Sequence, residues 1–176
     1  IVPLGTFNYV ARALNIPLDL AEAVRVAVQG VAQSVHVGTV NQQVYLNNAA
    51  IGLYPKLIQQ RESDKSRFGR YKAVAMLSGF AMLLREHQKL RLKMTIDGQA
   101  KPIETPMVFF GNNQLQLADM KLTLAECAAQ GRLAGVAITP VNRWQMLKLM
   151  ARMSLGTFER APEVHCFCAG HIPIGS

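Results

Sequence analysis

A glycine–threonine turn stands directly before a short predicted helix in the opening dozen residues. Gly5 and Thr6 follow Pro3, and Asn8 falls in the first turn of that helix. The backbone N–H groups of such a turn, together with the open end of a helix, can bind a phosphate group. The alternative is an ordinary junction between a loop and a helix, because short glycine motifs also match by chance.

The most polar stretch of the chain covers residues 59–72 and carries charges of both signs. Arg67, Arg70 and Lys72 lie close to the predicted start of the next helix, where the helix dipole favours anions. A bound anion would relieve this mismatch, so the stretch is a candidate phosphate-facing rim. A solvated loop of mixed charge is the alternative.

Motifs for metal binding and for a hydrolase nucleophile are missing from the sequence. The four histidines show no ligand spacing, and the three cysteines lack the spacing of a zinc site. No serine-hydrolase elbow and no Walker A loop occurs. We therefore predict no metal site, and we interpret Cys127, Cys166 and Cys168 as separate thiols in a reducing, cytoplasmic setting.

The composition indicates a folded protein with an affinity for anions. Half of the 176 residues are hydrophobic, which allows a sizeable core. The formal charge of +8 favours phosphates or an anionic membrane surface as partners. Few aromatic residues and no arginine-rich run argue against nucleic acid. No signal peptide or span is visible, so we expect a cytoplasmic protein that can bind the inner face of the membrane.

The first thirty residues predict two helices. The first covers residues 6–14, and Asn15 ends it in a left-handed conformation. The second covers Leu20–Gln29, with Asp19 and Glu22 as a capping box. Helical spacing predicts that one apolar face of this second helix is buried: Leu20, Ala23, Val24 and Ala27.

From residue 31 the pattern changes to the alternation that is typical of strands, and we place a domain boundary there. The loosely alternating valines of residues 31–37 predict a strand, and Asp97 and Gly98 predict a hairpin turn. Helices are predicted at residues 71–86 and 143–153. Further strands are predicted at residues 43–50, 90–96, 105–110, 132–138 and 163–169.

Three blocks of sequence, taken in order, resemble the diacylglycerol kinase and sphingosine kinase family of lipid kinases. The first, residues 4–12, reads Leu-Gly-Thr-x-Asn-x-x-Ala-Arg and is followed by Asn-Ile-Pro. The second, residues 47–54, is an Asn-x-x-x-Gly-hydrophobic block, and the third, residues 109–113, ends in Gly-Asn-Asn. Each block is weak alone, and their order and spacing make the combination more specific.

The resemblance implies an α+β fold and a phosphotransferase. Residues 1–30 would end an α/β nucleotide-binding domain, and residues 31–176 would form an antiparallel β-sandwich domain, incomplete at its C-terminus. The enzyme would move the γ-phosphoryl group of ATP, with Mg²⁺, onto a lipid hydroxyl group. The implied roles are nucleotide binding by Gly5, Thr6, Asn8, Arg67 and Lys72, and reception of the lipid hydroxyl by the carboxylate of Glu62 or Asp64.

Some family elements are absent from these residues. Such kinases carry a Gly-Gly-Asp-Gly-Thr phosphate loop and a later Asp-Gly-Glu element, and Gln130 and Gly131 stand where relatives often have Asp-Gly. We therefore expect a piece of a longer kinase, inactive alone and prone to self-associate through exposed apolar surface. The alternatives are a non-catalytic lipid-binding or regulatory β-sandwich module and, less favoured, a nicotinamide-nucleotide kinase.

Overall fold

The computed structural model of the chain describes residues 1–52, 89–96 and 98–175. The described helices are α1 (Tyr9–Ala13), α2 (Leu20–Gln29), α3 (Gln114–Asp119), α4 (Ala125–Ala129) and α5 (Arg143–Ser154), with a 3₁₀ turn at Phe158–Arg160. The described strands are β1 (Gly38–Val40), β2 (Gln43–Tyr45), β3 (Asn48–Gly52), β4 (Leu90–Ile96), β5 (Gln99–Thr105), β6 (Met107–Gly111), β7 (Leu133–Ile138), β8 (Val164–Ala169) and β9 (Ile174–Gly175).

Three antiparallel sheets organise the described strands. The largest has the order β3-β6-β7-β8, a second has the order β5-β4-β9, and β1 pairs with β2. In the four-stranded sheet, Phe109 stands between Ala50 of β3 and Val136 of β7, and Val136 faces Cys166 of β8. The strand order follows the chain from β6 to β8, and the connections between these neighbours contain the helices α3, α4 and α5.

The two central strands of the four-stranded sheet, β6 and β7, are buried on both faces, as their nearly continuous apolar sequences require. Phe109 and Val136 pack on one face, in a cluster with Leu117 of α3 and Leu149 of α5. The opposite face contributes Val108, Phe110 and Ala137 to a second cluster with Met94 of β4. The molecule is therefore an α+β structure of three layers, two antiparallel sheets and a layer of helices, which confirms the predicted fold class.

Gly135 allows a phenylalanine to lie across the four-stranded sheet. A Cβ atom at this position would collide with the ring of Phe167 on the neighbouring strand β8. The Phe167 ring also meets Phe110 edge to face, with ring centroids 6.1 Å apart. Such aromatic pairs add to the stabilisation that comes from burial alone.

Local signals predict the N-cap residues of α2 and α5 correctly. The Asp19 side chain accepts a hydrogen bond from the Glu22 N–H at 3.0 Å, but the Glu22 carboxylate accepts from Arg25 and does not complete the predicted capping box. Asn142 and Gln145 form a complete capping box before α5.

The predicted burial of α2 is correct for Ala23 and wrong for the other three residues, because Leu20 and Val24 are 54% and 45% exposed and Ala27 is also exposed. Helical spacing identifies an apolar face, but it does not say which part of that face meets the rest of the fold. In the described part of the chain, Ala23 is the buried residue of α2.

Two strand predictions need correction. Residues 31–37 form no strand, and the predicted strand 43–50 is broken at Leu46 and Asn47 into β2 and β3. The turn between β1 and β2 lies at Asn41 and Gln42, both of which have positive φ angles. In the β4–β5 hairpin, Gly98 also has a positive φ angle, and Asp97 lies outside the described residues.

The interpretation of all three cysteines as separate thiols is wrong. Cys127 of α4 and Cys168 of β8 form a disulfide, with their Cα atoms 5.9 Å apart. The bond links the helical layer to the edge of the four-stranded sheet. Cys166 carries a free thiol and is exposed. Because the two bonded residues are 41 positions apart, their spacing in the sequence gives no sign of the pairing.

No described helix combines the length and the apolar character that crossing a bilayer requires. The predicted boundary at residue 30 stays a prediction. The predicted helix at residues 71–86 lies outside the described residues.

Candidate functional site

A groove of about 690 Å³ lies where the first eleven residues meet the start of β3 and helix α3. Gly5 and Asn8 line one side of it, and Asn47, Gln116 and Met120 line the other. Most of the remaining lining is apolar and comes from residues 1–11. Parts of all three blocks of the lipid-kinase resemblance thus lie at or beside this groove.

The glycine–threonine turn is closed by its own asparagine. The Asn8 Oδ1 atom accepts a hydrogen bond from the Gly5 N–H at 2.8 Å, and Asn8 has a left-handed backbone with φ of 50°. Helix α1 therefore begins at Tyr9, three residues later than predicted, and it contains only five residues. Gly5 and Asn8 line the groove, whereas Thr6 lies exposed in the same turn.

Arg12 and the aromatic residues fix α1 against α3. The rings of Phe7 and Tyr9 stack with centroids 5.4 Å apart, and the Arg12 guanidinium lies 5.6 Å from the centre of the Tyr9 ring. Arg12 Nη1 also lies 3.4 Å from Asp119 Oδ2 at the end of α3. Both partners of this ion pair are partly exposed, so it positions the elements more than it stabilises them.

A chain of carboxamide contacts joins the second and third blocks. Asn48 Nδ2 donates to Gln116 Oε1 at 2.9 Å, and Asn113 Oδ1 accepts from the Gln116 N–H at 3.1 Å as the N-cap of α3. The backbone N–H of Asn112 donates to the Asn47 carbonyl oxygen at 2.7 Å. These contacts hold Asn47 and Gln116 on the same wall of the groove.

The Asn112 side chain explains the break between β2 and β3. Its Nδ2 group donates to the carbonyl oxygens of His36 and Leu46, each at 3.2 Å. The backbone at residues 46–47 bends away from the strand path, and its carbonyl groups find their partners on Asn112 instead. The Asn112 side chain therefore holds the backbone at His36 and the backbone at Leu46 together behind the groove.

Asn47 lines the groove and contains a hydrogen-bond acceptor without a partner. Its Oδ1 atom is buried, and it has no hydrogen-bond partner among the described residues. A buried polar atom without a partner costs roughly 1–3 kcal/mol. Because the atom is closed to water, a ligand can reach it only if the Asn47 side chain turns toward the groove, and an N–H or O–H group placed there would then recover that cost.

The described lining of the groove carries no charged side chain, and its polar groups are mainly carboxamides. Such a lining suits a nucleobase or a sugar better than a chain of phosphates, because both offer apolar faces together with hydrogen-bonding edges. The predicted phosphate and acceptor residues, Arg67, Lys72, Glu62 and Asp64, lie outside the described residues.

No group of three or more metal-ligating side chains comes together in the described part of the chain. These residues therefore do not fit a magnesium site. Among residues 1–52, 89–96 and 98–175, the two clear pKa shifts lie away from the groove lining. Burial raises the pKa of Tyr45 above its usual value of 10.0, and burial with the nearby Glu159 carboxylate raises the pKa of Cys166 to about 11.

The sequence reasoning missed two of the groove residues. Asn47 belongs to a block that was recognised, but nothing in the pattern distinguishes its side chain from that of Asn48. Gln116 lies in a helix that the sequence analysis did not predict, and it reaches the groove only because Asn113 caps that helix. The positions of Asn47 and Gln116 in the groove depend on contacts between residues that are far apart in the sequence.

Comparison with known proteins agrees with the resemblance. A diacylglycerol kinase of Staphylococcus saprophyticus subsp. saprophyticus is 25% identical over 177 residues, which cover 100% of this chain and 57% of that protein. A diacylglycerol kinase of Staphylococcus aureus strain JH9 is 26% identical over 165 residues, which cover 93% of this chain and 51% of that protein. The chain thus spans about half the length of the curated relatives it matches.

A solved structure shows the same fold. The crystal structure of a diacylglycerol kinase from Bacillus anthracis str. Sterne matches with a TM-score of 0.60 at 20% sequence identity. The match covers 99% of this chain and 56% of that one. At this identity the likeness concerns the fold alone.

Two family models match successive parts of the chain. The diacylglycerol kinase catalytic domain matches residues 1–40, and the YegS C-terminal NAD kinase beta sandwich-like domain matches residues 58–176. The resemblance to the C-terminal part of the diacylglycerol kinases is therefore confirmed. The second model covers more than half of the chain, and the chain belongs to the family of YegS C-terminal NAD kinase beta sandwich-like domains.

Proposed function

We propose that the chain is part of an ATP-dependent lipid kinase that transfers the γ-phosphoryl group of ATP to the hydroxyl group of a diacylglycerol-like lipid. The family membership and the names of its relatives support a kinase. The groove between residues 1–11 and the wall formed by Asn47 and Gln116 supports a place for the nucleotide.

The observation that carries this assignment is the unpaired Oδ1 atom of Asn47. A nucleoside brings donors that suit it, namely the exocyclic amine of the base and the hydroxyl groups of the ribose. In the bound state, Asn47 accepts one of these donors while Asn8 and Gln116 flank the nucleoside. The apolar residues of the N-terminal segment then keep water from its faces.

In this proposal the described residues bind and orient the nucleoside, and other residues handle the phosphates. Arg67 and Lys72 contact the nucleotide phosphates, and Glu62 or Asp64 receives the acceptor hydroxyl group. Phosphoryl transfer depends mainly on positioning and on charge neutralisation, so a groove that orients the nucleoside is a substantial part of the catalyst. A magnesium ion would be held by residues other than the described ones.

The direct test is a transfer assay with γ-labelled ATP and a panel of acceptors, using the whole kinase that contains this chain. We expect label in diacylglycerol or a similar lipid alcohol, and no turnover by the 176-residue chain alone. Label in a nicotinamide nucleotide instead would favour that class of kinase. Absence of transfer to every acceptor, in a protein that is folded and binds lipid, would favour the non-catalytic module.

A further inference from the structure

Helix α5 turns a narrow stripe of its surface away from the fold. Met146 and Leu149 are buried against the four-stranded sheet. On the outward side, at spacings of four, three and four residues, stand Trp144, Lys148, Ala151 and Leu155, which we name the α5 face. Trp144 is 78% exposed and Leu155 is 75% exposed, although both are large and apolar.

The charge around the α5 face is positive. The helix carries Arg143, Lys148 and Arg152 and contains no acidic residue. None of the three forms an ion pair with a carboxylate that the structure describes. At the C-terminal end, Lys121 Nζ donates to the Ser154 carbonyl oxygen at 2.6 Å, which brings a fourth cation to the helix.

The nearest carboxylates in the sequence that follows are already engaged. Glu159 accepts hydrogen bonds from the backbone and side chain of Thr123 and from the Leu124 N–H. Glu163 accepts from Gln145 Nε2 at 3.5 Å, on the inner side of the helix. Neither carboxylate forms an ion pair with Arg143, Lys148 or Arg152 of helix α5.

We propose that the α5 face docks on the surface of an anionic lipid bilayer. Trp144 and Leu155 enter the boundary between headgroups and acyl chains, and the basic side chains contact lipid phosphates. The helix lies parallel to the membrane plane. This inference does not depend on the nucleotide groove, because it requires neither ATP nor catalysis.

The spacing of the side chains favours a bilayer over a protein partner. Trp144 and Leu155 are eleven residues apart, which corresponds to about 16 Å along a helix. A lysine stands between them, and protein interfaces are depleted in lysine and concentrate their apolar anchors at one centre. A bilayer surface is broad, anionic and tolerant of such dispersed contacts.

The test uses Trp144 as its own probe, because it is the only tryptophan in the sequence. The chain is mixed with vesicles of phosphatidylcholine alone or with about one third phosphatidylglycerol, enough to give an anionic surface. We expect a blue shift of Trp144 fluorescence and protection from acrylamide quenching only with the anionic vesicles. Added salt should weaken the binding, since it screens exposed charges.

Matched variants assign the binding to the α5 face. Lys148→Gln should weaken binding to anionic vesicles about fivefold, the loss expected for one basic residue near the surface. Lys101→Gln removes the same charge from β5, on the far side of the four-stranded sheet, and should leave binding unchanged. Trp144→Ser, followed by vesicle flotation, should also reduce binding, whereas Val31→Ser at another exposed position should not.

Three results would overturn the proposal. The first is that neither kind of vesicle binds the folded chain. The second is that Trp144 stays fully quenchable on vesicles that do bind it, which would place the contact on another surface. The third is that Lys148→Gln and Lys101→Gln weaken binding equally, which would indicate a general effect of the net charge. If the vesicles bind as expected while the kinase assay fails, the membrane proposal stands and the proposed function falls.

Discussion

At the scale of single residues, Asn112 shows why a carboxamide stands in the turn after β6. Its amide group has two N–H donors, which allows it to bind the carbonyl oxygens of both His36 and Leu46. Its backbone N–H holds the carbonyl of Asn47 as well. The sequence favours an ordinary turn at Gly-Asn-Asn, and that interpretation is correct locally. The sequence does not indicate that Asn112 binds the carbonyl groups of His36, Leu46 and Asn47, because only the fold brings these residues close to it.

Cys166 gives a prediction at the same scale. Although the residue is exposed as a whole, partial removal of water from its thiol, with a smaller effect of the Glu159 carboxylate, raises the pKa of Cys166 from 9.0 to about 11. The thiolate is the reactive form, so we expect slow alkylation of Cys166 by iodoacetamide at neutral pH, with a rate that keeps rising until about pH 11. Peptide mass spectrometry of the folded chain measures this rate.

The unfolded chain in denaturant is the control, and there the rise should level off near the ordinary thiol pKa. Because the fold favours the protonated thiol, this group lowers stability as the pH rises from about 9 to about 11. A rate that levels off near pH 9 in the folded chain would contradict the expected shift.

At the scale of elements, the sequence predicts what depends on neighbouring residues. The N-cap residues of α2 and α5 and the alternating strand β4 are correct because hydrogen bonds and side-chain periodicity within each element determine them. The burial of Leu20 and the continuity of residues 43–50 are wrong because they depend on other parts of the fold.

The disulfide between α4 and β8 gives a prediction about these two elements. It closes a loop of 41 residues, and a bond that closes such a loop stabilises a fold by about 4 kcal/mol, mainly by restricting the unfolded chain. We expect the double variant Cys127→Ser/Cys168→Ser to lose about that much free energy of unfolding. Denaturant titration of protein purified without reductant measures the loss.

Cys166→Ser serves as the matched control, since this cysteine is free and its loss leaves the bond intact. A dithiol reductant should destabilise the unchanged chain and leave the double variant as it is. Three titratable thiols in the native chain, with no effect of reductant on its unfolding, would show that the bond does not form.

At the scale of the whole molecule, the four-stranded sheet supports both proposed surfaces. Its β3 edge carries the groove, and its helical face carries α5. The family could be predicted from the three blocks because the signal lies in their residue types and their order along the chain, which need no knowledge of contacts between distant residues. The roles of Arg67, Lys72, Glu62 and Asp64 stay predictions, since these residues lie outside the described part of the chain.

The central claim is that the groove beside Asn47 binds the nucleoside of ATP. The most direct measurement is the KM for ATP of the whole kinase that carries Asn47→Leu, with Gln33→Ala as an exposed carboxamide control. Loss of one hydrogen bond of about 1 kcal/mol should raise this KM about fivefold. The midpoint of unfolding should not fall, because the replaced oxygen has no partner in the unliganded fold. An unchanged KM for ATP, or a change confined to the KM for the lipid, would contradict the claim.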